Sequence, residues 1–168
     1  LSHTTGRLSS RMSEAEVAAV KAKAARWLPS PADWNHGCVE LEIGMGNGLA
    51  LLERAKQAPE RLFVGSEVYL NGLNITLNAL EKAPLPNVRL TFQDARALMD
   101  SLPEGCLNRV LVPFPDPWPK KRHHKRRLVA PRMVNELARV MRPGAELRVA
   151  TDIGEYATAI LLAAASHP

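Results

Sequence analysis

Residues 114–127 read FPDPWPKKRHHKRR and combine one carboxylate, Asp116, with a dense run of positive charge. Prolines at positions 115, 117 and 119 surround Asp116 and Trp118. Each proline fixes its own φ angle and moves the preceding residue out of the helical region, which predicts a rigid loop. A basic run is typical of phosphate contacts, and a carboxylate held beside it is suited to a hydrogen bond with a base or a developing cation. The run comprises Lys120, Lys121, Arg122, His123, His124, Lys125, Arg126 and Arg127.

The position of this segment strengthens a functional interpretation. It follows an apolar stretch at 107–112, which predicts a buried strand, and precedes a helix predicted at 128–141. In open α/β sheets, ligands bind at the edge where the carboxyl ends of the strands lie. A basic run alone is a weak signal, and the alternative is a solvated helix start or a localisation-like tract.

Composition sets the class of protein. The 168 residues suit one domain with a sizeable core. The net charge is +5, and six of the 22 lysines and arginines lie in the basic run, which points to a polyanionic partner. Cys38 and Cys106 are interpreted as small buried residues, with no disulfide framework and no metal site. Without a membrane-length apolar stretch or a signal-peptide pattern, the cytoplasm is the expected location.

Strands and helices alternate along most of the chain, which predicts a parallel sheet covered on both faces. Ser13 and Glu16 form a capping box that opens a helix ending near Leu28. We divide the chain into an N-terminal arm and helix (1–37) and an α/β domain (38–168). Strands are predicted at 39–43, 61–66, 88–92, 107–112 and 146–150. Helices are predicted at 49–56, 70–82, 128–141 and 154–165, together with a short helix that ends near residue 102 and a turn at 143–144.

An acidic residue lies at or next to the carboxyl end of every predicted strand. Right-handed crossovers place all of these ends along one edge of the sheet. Chance is a poor explanation for such a set, although each acid taken separately can instead cap a helix. The five residues are Glu42, Glu67, Asp94, Asp116 and Asp152.

The glycines at 44, 46 and 48 follow the first strand and open a helix, so the backbone there can approach a ligand closely. The spacing is GxGxG, which fits a dinucleotide less well than GxGxxG. Glu42 would oppose a pyrophosphate but suits a cationic ligand end. Glu67 lies 23 residues after Gly44, where an acid binds ribose hydroxyls, and Asp94 can accept from an adenine amine. An adenosine with a cationic amino acid tail is S-adenosylmethionine.

Four motifs then carry a resemblance to bacterial tRNA (guanine-N7-)-methyltransferases. They are ELEIGMGNG at 40–48, QDAR at 93–96, FPDPWPKKRHHKRR at 114–127 and ATD at 150–152, and the similarity spans residues 39 to about 156. The FPDPWPKKRH element is specific to that family, whereas the glycine loop is not. The resemblance implies a class I, Rossmann-like methyltransferase fold with a mostly parallel, doubly wound sheet, and methyl transfer from S-adenosylmethionine to N7 of a guanine in the tRNA variable loop.

The resemblance also implies roles for individual residues. Asp116 matches the catalytic and cofactor-contacting aspartate of the family. Lys120 and Asp152 match substrate-binding positions, and residues 122–127 match the RNA-contacting stretch. The expected cofactor site comprises Glu42, Gly44, Gly46, Gly48, Glu67, Asp94, Ala95 and Asp116, and the expected RNA site comprises Lys120, Arg122, His123, His124, Lys125, Arg126, Arg127 and Asp152.

The residue chemistry agrees with this implication. Guanine N7 is a lone-pair nucleophile without a proton to lose, so orientation and stabilisation of charge on the ring suffice. Asp116 or Asp152 can accept hydrogen bonds from the guanine, which must be unstacked. Trp118 either stacks on a base or packs the loop. His123 and His124 are more consistent with RNA contacts than with a metal site.

Two features limit the resemblance. The class I sheet has seven strands, whereas five are predicted here, and the family's Thr-x-x-Glu element has no counterpart, so the C-terminal strands are expected to be missing. The alternatives are an NAD-linked oxidoreductase, a non-catalytic RNA-binding protein on the same fold, and a methyltransferase with another substrate. The oligomeric state stays open.

Overall fold

The computed structural model describes residues 12–166, and the predicted polar arm at 1–11 lies outside them. The strands are β1 (Val39–Ile43), β2 (Leu62–Ser66), β3 (Val88–Thr91), β4 (Leu107–Pro113) and β5 (Met141–Ala150). The α-helices are α1 (Glu14–Ala24), α2 (Leu49–Gln57), α3 (Leu70–Lys82), α4 (Ala95–Ser101), α5 (Pro131–Val140) and α6 (Gly154–Ala165). Short 3₁₀ segments cover Ala25–Trp27, Pro31–Asn35 and Lys121–Arg126.

The five strands form one sheet in the order β3-β2-β1-β4-β5. Every neighbouring pair is parallel. The predicted α/β class is therefore confirmed, and the carboxyl ends of all five strands meet along one edge. The strand order reverses between β1 and β4, and ligands of open α/β sheets bind at the carboxyl edge beside such a point.

Apolar side chains on the two faces of the sheet form two separate cores. One core joins Leu41 of β1 to Leu98 of α4 and Leu137 of α5. The other joins Phe63 of β2 to Leu73 of α3, together with residues of α1 and α2. Each such side chain, when fully buried, contributes about 1.5–3 kcal/mol relative to exposure. Within residues 12–166, no helix combines the length and apolar character that crossing a membrane needs.

Helix α1 begins as the sequence predicts. The Ser13 backbone N–H donates to the Glu16 carboxylate at 2.7 Å, and the Ser13 hydroxyl accepts from the Glu16 N–H at 3.3 Å. The α-helix ends at Ala24 rather than near Leu28, and a 3₁₀ turn continues it. Val20 and Ala24 pack into the same core as α3. The boundary proposed at residue 37 stays a prediction.

The largest differences from the predicted elements surround α5. The helix begins at Pro131 rather than Leu128, because Ala130 is extended (φ −140°, ψ 168°) and Pro131 suits the first turn. β5 begins at Met141 rather than Glu146, since Met141 pairs with Leu107 before an irregularity in register. The predicted turn at 143–144 thus falls inside the strand. The basic run, predicted as a loop, forms a 3₁₀ segment at Lys121–Arg126.

Candidate active site

A cleft of about 270 Å³ opens at the carboxyl edge of the sheet. It lies beyond the ends of β1, β2 and β4 and against the start of α4. Three carboxylates that follow different strands, those of Glu67, Asp94 and Asp116, line this one cleft. The remaining walls are Ile43, Gly44, Ser66, Val68, Ala95, Arg96, Val112, Pro113, Phe114, Pro115, Trp118, Arg126 and Leu128.

The loop that carries Asp116 has an unusual backbone. Phe114 and Trp118, which precede Pro115 and Pro119, have positive φ angles of 47° and 44°. The prolines exclude the right-handed helical region for these two residues, as the sequence predicts, and both adopt the left-handed region instead. The Phe114 N–H donates to the Ala150 carbonyl at 2.8 Å, which fastens the loop to β5. Asp116 is exposed between the two strained residues.

Glu67 holds the glycine loop in place. Its Oε2 accepts from the Gly46 N–H at 2.8 Å, and its Oε1 accepts from the Tyr69 N–H at 2.8 Å. The carboxylate thereby joins the loop after β1 to the start of α3. Gly48 has a φ of 69°, and a Cβ there would lie 2.4 Å from the Thr76 hydroxyl of α3. Close packing on α3 therefore requires glycine at this position.

Asp94 has a structural role in addition to its place in the cleft. It is the N-cap of α4, and its Oδ1 accepts from the Arg96 N–H at 2.9 Å. The helix-capping alternative weighed for each acid is thus realised here. The Asp94 side chain is 42% exposed, so its carboxylate keeps acceptor capacity towards the cleft.

Glu42 lies elsewhere. It is 4% exposed within β1, and the cation it meets is Arg54 of α2, which also donates to Glu40 at 2.7 Å. Alternating strand residues face one side, so both glutamates point towards α2. Desolvation opposes the charge on Arg54, but hydrogen bonds to Glu42 and Glu40 raise the pKa of its guanidinium. Glu42 thus contacts Arg54 in this structure, and its contact with the cationic end of a ligand stays a prediction.

The basic run presents most of its charge to solvent. Residues 120–122 and 125–126 are exposed, and the Arg126 guanidinium lies 5.0 Å from the Trp118 ring centre. The His123 ring contacts the Trp118 ring edge-on at 5.9 Å. Desolvation and the neighbouring arginines and lysines lower the pKa of His123. Trp118 thus packs against the basic run and lines the cleft.

Arg127, predicted as an RNA contact, is held by internal contacts in this structure. It is 5% exposed, and its Nε donates to the Pro117 carbonyl at 2.8 Å. Its guanidinium lies 4.8 Å from the Tyr156 ring centre and 3.4 Å from the Glu155 carboxylate. Burial raises the pKa of the Tyr156 phenol, whose oxygen accepts from the Val129 N–H. A side chain occupied in this way fastens the Asp116 loop to α6 and has little surface left for RNA.

A family model described as "Putative methyltransferase" matches residues 36–168. The chain belongs to this methyltransferase family. Curated relatives named tRNA (guanine-N(7)-)-methyltransferase include that of Caulobacter vibrioides, 50% identical over 119 residues, which are 71% of this chain and 53% of the relative. The relative from Azorhizobium caulinodans is 42% identical over 147 residues, which are 88% of this chain and 62% of the relative. The resemblance inferred from the FPDPWPKKRH element is confirmed.

The chain spans about half the length of the first of these relatives, as it does for that of Ruegeria sp., where it covers 46%. Solved methyltransferase structures share the fold at low identity. Precorrin-6y C5,15-methyltransferase from Geobacter metallireducens GS-15 has a TM-score of 0.61 at 14% identity, covering 96% of this chain and 72% of that one. A SAM-dependent methyltransferase from Aquifex aeolicus has a TM-score of 0.55 at 17% identity. The match covers 86% of this chain and 87% of that one. The Rossmann-like class is therefore confirmed.

The methyltransferase cleft gathers part of the site predicted from sequence. Gly44, Glu67, Asp94, Ala95, Asp116 and Arg126 line it. Gly46 and Gly48 hold the loop in position instead: the Gly46 N–H donates to Glu67, and Gly48 packs against Thr76 of α3. The predicted residues that do not line the cleft are Glu42, Gly46, Gly48, Lys120, Arg122, His123, His124, Lys125, Arg127 and Asp152.

Arg96 lines the cleft beside Asp94, although no role was predicted for it from sequence. Its Nη2 donates to the carbonyls of Arg126 and Arg127 at 3.1 and 3.2 Å. The signal was available, because Arg96 ends the QDAR motif. Among residues 12–166, no group of three or more His, Cys, Asp or Glu side chains is arranged to hold a metal ion.

Proposed function

We propose that this protein transfers a methyl group from S-adenosylmethionine to N7 of a guanine in the tRNA variable loop. The observation that carries the proposal is the position of Asp116, on a strained loop that shares one cleft with Glu67 and Asp94 and continues into the basic run. The curated relatives reported above, which are named tRNA (guanine-N(7)-)-methyltransferase, support this reaction. The predicted cytoplasmic location stays a prediction.

The hydrogen-bond acceptors of the cleft fit S-adenosylmethionine. Three carboxylates line it, a set that repels phosphates and accepts hydrogen bonds from ribose hydroxyls, an exocyclic amine or an ammonium group. Glu67 and Asp94 would hold the nucleoside part, since each keeps free lone pairs beyond its backbone hydrogen bonds. Gly44 leaves the floor open, because nothing lies within 4 Å of the position of a Cβ there. When bound, the cofactor supplies an electrophilic methyl group.

Asp116 is the residue that we assign to the guanine. N7 needs no general base, so the protein has to orient the ring and stabilise the positive charge that moves onto it. The exposed Asp116 carboxylate can accept from the N1–H and N2–H₂ groups, and these hydrogen bonds strengthen as the ring becomes cationic. The fixed backbone at Phe114 and Trp118 limits the movement of this carboxylate.

The basic run would bind the RNA that delivers the guanine. A base inside a stacked helix cannot reach the cofactor, so the guanine must leave the stack. Trp118 and Arg126 line the cleft mouth together, and both have planar faces on which a base can stack. The exposed cations Lys120, Lys121, Arg122 and Lys125 lie outside the cleft, where they can contact phosphates.

The test is methyl transfer from labelled S-adenosylmethionine to unmodified bulk tRNA, followed by chain cleavage selective for 7-methylguanine. We expect label at one guanine of the variable loop. Cofactor binding is measured separately by calorimetry. Cofactor and tRNA binding without transfer would favour the non-catalytic RNA-binding alternative. Transfer to another RNA or to protein would favour a methyltransferase with a different substrate.

Replacing Asp116 by alanine tests the assignment of that residue. We expect kcat to fall by about 10²–10³-fold or more, the usual loss for one group that stabilises transition-state charge. The fold should stay intact, because Asp116 is exposed. Glu104→Ala removes an exposed carboxylate away from the cleft and serves as the control. Wild-type turnover by the Asp116 variant would exclude it from the mechanism.

A further inference from the structure

A second depression, of about 190 Å³, adjoins the cleft between α4, α5 and the basic run. Four cationic side chains line this basic depression, and its floor includes Met99 and Met133. The two cavities share the side chains of Arg96 and Leu128 as walls. The full lining is Arg96, Met99, Asp100, Lys125, Arg127, Leu128, Ala130, Arg132, Met133 and Glu136.

The cations of the basic depression divide into two kinds. Arg96 and Arg127 are held by internal contacts: Arg96 Nη2 bonds the carbonyls of residues 126 and 127, and Arg127 is buried against Tyr156. Lys125 and Arg132 are exposed. Within the described range, 12–166, neither of these two side chains makes a hydrogen bond or a salt bridge. The depression therefore combines a fixed positive wall with two cations available to a ligand.

The two carboxylates of this site offset only part of the charge of its four cations. Glu136 is engaged by Arg139, whose Nε donates to its carboxylate at 2.9 Å. Asp100 remains as the other carboxylate of the lining. Arg132 lies in the first turn of α5, which contains no acidic residue. A cation there is opposed by the helix dipole, which favours an anion at this end, so a bound anion would relieve the repulsion.

We propose that the basic depression binds a backbone phosphate of the RNA strand whose guanine enters the cleft. This inference rests on the proposed function. The shared wall at Arg96 places the depression beside the cleft, where a phosphate flanking an unstacked nucleotide would lie. A phosphate suits the site better than a base, because the lining offers guanidinium and ammonium donors and no aromatic ring. The planar fork of Arg132 matches phosphate oxygens in a bidentate manner.

Arg132 lies outside the basic run and outside the cleft, so replacing it tests the basic depression separately from both. We would measure the Kd of unmodified tRNA over a range of salt concentrations, the KM and kcat for methyl transfer, and the cofactor Kd by calorimetry. The variants are Arg132→Gln, Arg132→Lys and, as the control, Lys56→Gln, an exposed lysine near the end of α2. Circular dichroism confirms that each variant folds.

For Arg132→Gln we expect the tRNA Kd and KM to rise about three- to tenfold, within the range for one phosphate contact at moderate salt. The salt slope should fall by about 0.7–0.9, while kcat and the cofactor Kd stay unchanged. Arg132→Lys should keep the salt slope but lose part of the affinity, because ammonium lacks the fork. Lys56→Gln should match the wild type.

Three different results would overturn the proposal. If the wild type binds and methylates tRNA while Arg132→Gln keeps both the affinity and the salt slope, the depression does not hold a phosphate and the proposed function stands. If the wild type neither binds nor methylates tRNA, the proposed function fails and this inference fails with it. A loss equal to that of Lys56→Gln would show only an effect of net charge and would also contradict the site.

Discussion

At the scale of single residues, Gly72 shows how a missing side chain shapes the cleft. It lies inside α3, where a Cβ would come within 2.5 Å of the Gly46 carbonyl oxygen. The glycine loop can therefore lie directly on the helix. Sequence motifs predicted the glycines at 44–48, but they did not predict Gly72, because its contact joins residues 26 positions apart.

We predict that Gly72→Ala weakens cofactor binding. Alanine in a helix interior is favoured over glycine by about 1 kcal/mol. The contact with a backbone carbonyl has no flexible partner to yield, and overpacking of this kind costs about 1–3 kcal/mol. The loop should shift, and the cofactor Kd should rise about tenfold, which corresponds to roughly 1.4 kcal/mol. Calorimetry with S-adenosylmethionine measures this change.

Gly154→Ala is the matched control for this prediction. Gly154 is the first residue of α6, and nothing lies within 4 Å of the position of its Cβ. This variant should bind the cofactor as the wild type does. Equal affinities for both variants would mean that the contact between Gly72 and Gly46 does not set the position of the loop.

At the scale of elements, Arg127 connects the Asp116 loop, the 3₁₀ segment and α6. Its contacts reach the Pro117 carbonyl, His124, and Glu155 and Tyr156 at the start of α6. The buried Arg127 guanidinium thus holds the loop through its hydrogen bond to the Pro117 carbonyl. We therefore infer that Arg127 would act as a positioning residue, through the loop that carries Asp116.

We predict that Arg127→Gln lowers kcat and stability together. The loss of a charged hydrogen bond to the partly buried Pro117 carbonyl costs about 1–3 kcal/mol. A displaced Asp116 loop should reduce kcat by up to about 10²-fold, since small misplacements have such effects. The KM for tRNA should rise less than it does for Arg132→Gln, because the buried Arg127 is a wall of the basic depression and not one of its two available cations. Urea unfolding and steady-state kinetics measure these quantities.

Arg122→Gln provides the contrast, because Arg122 is exposed on the same segment. It should raise the KM for tRNA and leave the free energy of unfolding unchanged. If Arg127→Gln behaves in the same way as Arg122→Gln, Arg127 contacts RNA, as the sequence analysis expected.

The elements show where reading a sequence succeeds and where it stops. The bounds of β1 and α3 agree with prediction, because their apolar periodicity and flanking prolines and glycines are local signals. The placement of three carboxylates in one cleft follows from the alternation of strands and helices and from the right-handed crossovers between parallel strands. The alternation can be recognised in the sequence, and the handedness is a general rule. The engagement of Glu42 by Arg54 and the burial of Arg127 depend on tertiary packing, so they had no local signal. For Glu42 and Arg127 the residue type indicated a charge, but it did not indicate which group of the protein that charge contacts.

At the scale of the whole molecule, a partly buried ion network joins four elements. Arg54 of α2 contacts Glu40 and Glu42 of β1, and Arg109 of β4 contacts Glu40 at 3.3 Å and Glu146 of β5 at 2.8 Å. Glu40 and Glu42 are 2% and 4% exposed. An unpaired charge at such a buried position is strongly destabilising, whereas these carboxylates are paired with arginines, so the network fixes α2 against the sheet behind the glycine loop.

We predict that Arg54→Met destabilises the fold by about 3–5 kcal/mol, because it leaves two buried carboxylates short of a partner. Adding Glu42→Gln to this variant should recover part of the loss, since one unpaired charge is removed. Lys56→Met, at an exposed position of the same helix, should change the free energy of unfolding by less than about 0.5 kcal/mol. Urea denaturation at neutral pH compares the three, and a full-sized loss in the double variant would contradict the pairing.

The left-handed backbone at Phe114 and Trp118 has a consequence for how this protein can change under selection. Each such residue costs about 1–2 kcal/mol relative to an ordinary conformation, and only glycine removes that cost. Glycine at either position would release the strain while loosening the support of Asp116 and deleting an aromatic wall of the cleft. Selection for heat tolerance and selection for turnover therefore favour different residues at these two sites. A thermostability screen without an activity readout would enrich variants that are more robust and slower.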